Sequence, residues 1–91
     1  MISFKEATIK AYEFIKEVPG YENKKDILVE EVEKSEDNNY WLITLGYLVP
    51  TSYTVVQKAF GSFPEYRKEY KRFKIDAKTG EVESMTIRNL N

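Results

Sequence analysis

The run YKRFKIDAKTGEVESMTIR at residues 70–88 constrains the fold of this chain more than any other stretch, because it has the pattern of a complete β-hairpin. Phe73 and Ile75 alternate with basic residues, as expected for a strand with one apolar face. The sequence Asp-Ala-Lys-Thr-Gly-Glu follows at residues 76–81. Its aspartate can accept hydrogen bonds within a turn, and its glycine can adopt the positive φ that closes one.

The residue pattern of the return strand predicts an irregularity in its pairing. Val82 occupies an even-numbered position in the strand, whereas Met85 and Ile87 occupy odd-numbered positions. Successive residues of a strand point to opposite faces, so these three cannot share a face unless one extra residue is inserted. We therefore predict a β-bulge near Glu83 and Ser84.

The N-terminal segment has the pattern of an amphipathic helix. Ser3 and Glu6 form a Ser-x-x-Glu capping box, in which each side chain can bond to the backbone of the other residue. Apolar residues recur behind them at helical spacing: Phe4, Ala7, Ala11, Phe14, Ile15 and Val18. Pro19 and Gly20 end the pattern, so the sequence predicts a helix over residues 4–17.

Two strand-like runs around the polar sequence SEDNN predict a second hairpin. The first run, residues 27–34, mixes Ile and Val with glutamates that we expect to face water on the side away from the helix. The second run, residues 40–49, is apolar on both faces and therefore belongs in the middle of a sheet, with Trp41 in the core. One of its faces carries Trp41, Ile43, Leu45 and Tyr47, and the other carries Tyr40, Leu42, Thr44 and Leu48.

These elements predict a single α+β domain over residues 1–91, with one N-terminal helix packed on a four-stranded antiparallel β-meander. The order of elements, the pair Tyr40-Trp41 and the sequence IDAKTGEV at residues 75–82 resemble the PepSY-type domain, a helix-on-sheet arrangement of cystatin-like form. The resemblance covers the helix and both hairpins but not residues 49–66. It implies an inhibitory or protein-interacting module, often exported or membrane-attached, without catalytic residues.

Composition narrows the chemistry available to this domain. The chain contains no cysteine and no histidine, which excludes thiolate zinc sites, cysteine nucleophiles and the commonest general base. No phosphate-binding loop or nucleophile motif is present, and the turn at residues 76–81 lacks the ligand spacing of an EF-hand. We expect no enzyme activity, no cofactor and no metal site.

The candidate binding residues lie in and after the irregular segment 49–66, where residues 51–60 could form a short strand or a helical turn. They are Tyr53, Phe60, Phe63 and Tyr66, beside Arg67 and Lys71. Aromatic side chains are costly to leave in water, so these either fold back to cap the sheet or form an exposed patch for a partner or ligand.

The basic residues between 67 and 78 are a weaker candidate for a binding site. They could bind phosphates while neighbouring aromatic rings stack on bases, as in single-strand-binding proteins. However, acidic residues interrupt them, and alternation along a strand divides them between two faces. A net charge of −1 and an isoelectric point near 5.5 also argue against nucleic acid.

The expected function is therefore a non-catalytic protein-interaction or regulatory module of PepSY-like type, with an unknown protein partner. The alternative is binding of a small ligand or nucleic acid through the aromatic and basic segment 53–72. A free edge strand would also allow a homodimer. The N-terminal sequence lacks the pattern of a signal peptide and no window is long and apolar enough to span a membrane, so we expect a cytoplasmic protein.

Overall fold

The computed structural model describes residues 1–51, 57, 59–61 and 65–90 and has an α+β fold. The elements are α1 (Phe4–Glu17), β1 (Leu28–Lys34), β2 (Tyr40–Pro50), β3 (Tyr66–Asp76) and β4 (Val82–Ile87). The sheet order is β1-β2-β3-β4, and each neighbouring pair is antiparallel. The predicted helix on a four-stranded meander is confirmed.

Helix α1 begins and ends where the sequence predicts. The backbone N–H of Glu6 donates a 3.2 Å hydrogen bond to Ser3 Oγ, which satisfies one of the free amides of the first turn. Val18 has extended dihedral angles directly before Pro19, a position at which the α conformation is disfavoured. The residues that α1 buries completely are Ala7, Ala11 and Ile15.

The core lies between α1 and one face of the sheet. Ile43 and Tyr47 from β2 and Phe73 from β3 are fully buried there, and the ring of Phe14 meets Phe73 edge-on at 6.1 Å between centroids. Trp41 packs against this core but is only partly buried, and its indole N–H donates to the carbonyl of Ile2 at 3.1 Å. We call the opposite surface of the sheet the open face.

The sheet contains the predicted bulge and a second one. Ile75 pairs with Val82 and Lys74 pairs with Ser84, so Glu83 is the extra residue. The pairing of β1 with β2 also shifts register, between Val29 and Glu31. This second bulge places the side chain of the intervening glutamate on the open face.

The final turn is built as its sequence predicts. The Asp76 carboxylate accepts hydrogen bonds from the backbone N–H groups of Lys78 and Thr79, at 2.8 and 2.9 Å. The bonds from Thr79 and then Lys78 hold the pKa of Asp76 below its usual value. Gly80 has a φ of +77°, which residues with a Cβ rarely adopt.

Strand β3 is longer than the sequence indicates. It begins at Tyr66, which pairs with Pro50 at the end of β2, so the ladder extends into the segment that was expected to be irregular. The sequence there has no clean alternation, and pairing with β2 determines the extended conformation instead. Most of residues 51–60 lie outside the described residues. Over the part of the chain that is described, α1 is too short and too polar to cross a membrane.

Candidate functional site

The predicted aromatic site is described only in part. Tyr53 and Phe63 lie outside the described residues. Phe60 is 87% exposed, and Tyr66 is 54% exposed on the open face beside Pro50. Whether the aromatic residues of this segment act together therefore stays a prediction.

Arg67 and Lys71 lie on the helix side of β3, on the opposite face from Tyr66. They line a cavity of about 210 Å³ at the edge of β3 beyond the end of β4, together with Ile87. Arg67 is paired with Glu69 at 2.8 Å. The sheet therefore separates Tyr66 from the two cations that the sequence grouped with it.

The open face carries an ordered network of opposite charges. Lys68 Nζ lies 2.7 Å from the carboxylate of Glu30. Arg88 donates two hydrogen bonds to Glu31, at 2.9 and 3.2 Å. Arg72 lies 3.8 Å from Glu33. The glutamates expected to face water thus bind basic residues of β3 and the residue after β4, which leaves those cations less able to bind phosphate.

Glu31 is the centre of this network. Its carboxylate also accepts a 2.9 Å hydrogen bond from the hydroxyl of Thr44, which is fully buried. The hydrogen bonds from Arg88, followed by the one from Thr44, lower the pKa of Glu31. Conversely, the pKa of Arg88 is raised by its bond to Glu31. The network ties both edge strands to the centre of the sheet, which is a structural role.

An apolar groove between α1 and β1 is the feature that the sequence reasoning did not predict. The helix packs on β2, β3 and β4 and leaves the helix side of β1 open. We define the groove by the residues that line it: Phe4, Lys5, Thr8, Ile9, Val29 and Val32. Its volume is about 450 Å³, and apolar atoms form nearly all of its surface.

The apolar side chains of the groove are exposed to an unusual degree. Phe4 is 50% and Ile9 is 56% exposed on the helix, and Val29 and Val32 are 47% and 42% exposed on the strand. Phe4 was expected in the buried stripe of the helix, and that part of the prediction is wrong, because the stripe packs on β2–β4 while Phe4 faces β1. Ile9 is an apolar residue outside the predicted stripe, and it is the sequence feature that could have indicated a second apolar surface on the helix. A contiguous apolar surface of this kind often marks an interaction site.

The groove runs along a free edge of the sheet. β1 is the first strand in the sheet order, so its outer backbone has no strand partner among the described residues. Unpaired N–H and C=O groups of an edge strand can pair with an extended segment of another chain. An apolar groove and an open edge therefore lie side by side.

The described residues contain no cluster of acidic side chains that could hold a metal ion. Comparisons of the chain with protein-family models, with curated proteins and with solved structures found no match. The features of the described residues that bear on function are the groove, the edge of β1 and the charges around them.

Proposed function

We propose that this protein is a non-catalytic protein-interaction module of PepSY-like type, acting in the cytoplasm as a regulatory partner. The observation that carries the proposal is the exposure of Phe4, Ile9, Val29 and Val32 in one groove. Removing apolar surface from water contributes about 25 cal/mol per Å², which favours binding of an occupant that covers these side chains.

The form of the groove favours a protein segment over a small ligand. Small-molecule sites are concave and combine apolar walls with a few convergent polar groups. Here the groove is open along its length, and its two polar residues, Lys5 and Thr8, lie on the helix. Its other wall is a strand with a free edge, which suits an extended chain.

A display library of random peptides tests this proposal. Peptides are selected for binding to the wild-type protein, and their affinities for two variants are then measured. Ile9→Glu places a charge in the groove, at a side chain exposed enough to leave the fold intact. We expect the selected peptides to bind this variant about tenfold more weakly or worse, because burying an unpaired charge costs more than a factor of ten in affinity.

The matched control is Ile87→Glu, the same substitution at an isoleucine that is 75% exposed and lies outside the groove. Selected peptides should bind it as they bind the wild type. Peptides that bind Ile9→Glu undiminished would show that the groove is not the docking site.

A second candidate function is binding of a small anionic ligand or nucleic acid beside Arg67 and Lys71, which share the cavity at the edge of β3. Ile87 lines this cavity too, so the same two variants separate the candidates. Titration with a single-stranded oligonucleotide at low salt would then give binding that Ile87→Glu weakens and Ile9→Glu leaves unchanged.

A further inference from the structure

We propose that the partner of the groove is an extended segment that pairs with β1 as a fifth strand and alternates apolar with basic residues. This inference rests on the proposed function and names the chemistry of its partner. Three features carry it: the two faces of β1, the charge around β1, and the contrast with the other edge of the sheet.

The two faces of β1 differ in chemistry, and an added strand would meet both. Val29 and Val32 pair with Leu45 and Ile43 and therefore share their face, toward the helix. Glu31 and Glu33 lie on the open face. Neighbouring strands align their side chains face by face, so a pairing segment places alternate residues in the groove and beside the glutamates.

The charge around β1 selects a basic segment. Residues 26–37 contain six acidic residues and one basic residue, a net charge of −5. Lys68, Arg72 and Arg88 pair with Glu30, Glu33 and Glu31, so a net charge of −2 remains when these three cations are counted. Glu31 is held by Arg88, but Glu33 is 52% exposed and lies 3.8 Å from Arg72, which leaves room for a second cation. Opposite charges directly across a strand pair are favourable and like charges are not.

The other edge of the sheet does not offer the same site. On the helix side of β4, Val82 and Met85 pack against the core beneath α1, whereas Ile87 is 75% exposed and lines the cavity that holds Arg67 and Lys71. An added strand there would meet one exposed apolar side chain beside Arg67 and Lys71, and these cations disfavour a basic segment. The geometry therefore assigns strand addition to β1.

Charge also distinguishes this partner from a second copy of the chain. A symmetric dimer through β1 would set a strand with three glutamates and one lysine against itself. Such pairing places like charges opposite one another and is disfavoured. A basic segment of another protein meets the same edge with complementary charge.

The test uses synthetic peptides of about seven residues, a typical strand length, added to the wild-type protein. One alternates valine with lysine, and a second alternates valine with glutamate. Trp41 is the only tryptophan and pairs with Lys34 at the end of β1, so its fluorescence reports binding. We expect the lysine peptide to bind at least about tenfold more tightly than the glutamate peptide.

Hydrogen exchange distinguishes strand addition from other modes of docking. With the lysine peptide bound, the backbone N–H groups of β1 that point away from β2 should exchange more slowly, because they become hydrogen-bonded. Binding of this peptide without protection of β1 would overturn strand addition.

Glu33→Lys tests the role of charge within the folded protein. This variant should weaken binding of the lysine peptide and strengthen binding of the glutamate peptide, a reversal that loss of folding cannot produce. Glu83→Lys, the same change at the bulge residue of β4 beside Tyr40, is the matched control and should alter neither affinity.

The remaining outcomes separate this inference from the proposed function. If both peptides bind equally and Ile9→Glu weakens both, the groove docks protein segments but the charge rule is wrong. If neither binds while library peptides remain sensitive to Ile9→Glu, the proposed function stands and the inference fails. Concentration-dependent dimers in sedimentation that Ile9→Glu abolishes would assign the groove to a second copy and overturn the inference.

Discussion

At the scale of single residues, Glu31 shows how the open face is held together. Thr44 is fully buried at the centre of the sheet, and a buried hydroxyl needs a hydrogen-bond partner. Glu31 supplies that partner from β1 and at the same time accepts two bonds from Arg88. One carboxylate thus links β1, β2 and the residue that follows β4.

Glu31→Gln should lower the free energy of unfolding at neutral pH, with a difference from wild type that shrinks in acid. The folded-state pKa of Glu31 is lowered below its ordinary 4.5, so its charged form stabilises the fold at higher pH. That contribution is lost as the pH falls through the lowered pKa. Urea midpoints measured from neutral pH downward check this.

The matched control for this prediction is Glu33→Gln, whose carboxylate lies farther from its cation and is more exposed. At neutral pH we expect Glu33→Gln to lower the free energy of unfolding less than Glu31→Gln does, because exposed ion pairs contribute little to stability. If the stability difference between Glu31→Gln and the wild type stays constant as the pH is lowered, the ionic role of Glu31 is contradicted.

At the scale of elements, α1 and the two bulges follow from short local patterns. Small residues at Ala7 and Ala11 let the helix approach the sheet closely, and the cap at Ser3 determines where it begins. The parity change from Val82 to Met85 predicted one bulge correctly. The same parity change between Val29 and Val32 was the signal for the second bulge, in β1.

Ser3→Ala should destabilise the protein by about 1 kcal/mol, because the amide of Glu6 loses its capping oxygen. Ser3→Asp keeps an acceptor at this position and should retain most of the stability. Thermal or urea unfolding of the three proteins measures the difference. An aspartate variant as unstable as the alanine variant would show that Ser3 does not act as a cap.

At the scale of the whole molecule, the dimensions of the helix and the sheet explain the groove. Helix α1 has 14 residues and β2 has 11. They are therefore roughly 21 Å and 36 Å long. A single helix cannot cover four strands of this length, and the molecule is elongated, with extents of 54 × 25 × 17 Å. The uncovered part of the helix side lies over β1.

A molecule with one helix on one sheet depends on a single core. Phe73→Ala should lower the free energy of unfolding by about 3–5 kcal/mol. This is a large part of the total free energy of unfolding of a typical domain, which is about 5–15 kcal/mol. The side chain is fully buried and meets Phe14. The exposed control, Ile87→Ala, should change stability by no more than about 0.5 kcal/mol. Urea unfolding compares them, and equal losses would place the core elsewhere.

The candidate site was less predictable from sequence than the fold. Tyr66 and Arg67 are neighbours in sequence, but strand geometry turns them to opposite faces once β3 extends to Tyr66. Ile9 and Val32 are far apart in sequence, yet both line the groove. Proximity along the chain therefore grouped side chains that the sheet separates.

Local patterns in the sequence predict the helix, the final hairpin with its bulge, and which residues of β2 share a face, because each depends on a local period, a cap or a turn. Packing in three dimensions places α1 over β2–β4 and leaves β1 open. The apolar stripe of a helix indicates which side it buries but not which strands it covers. That choice depends on packing across the whole sheet, and it places Phe4 and Ile9 in a groove instead of the core.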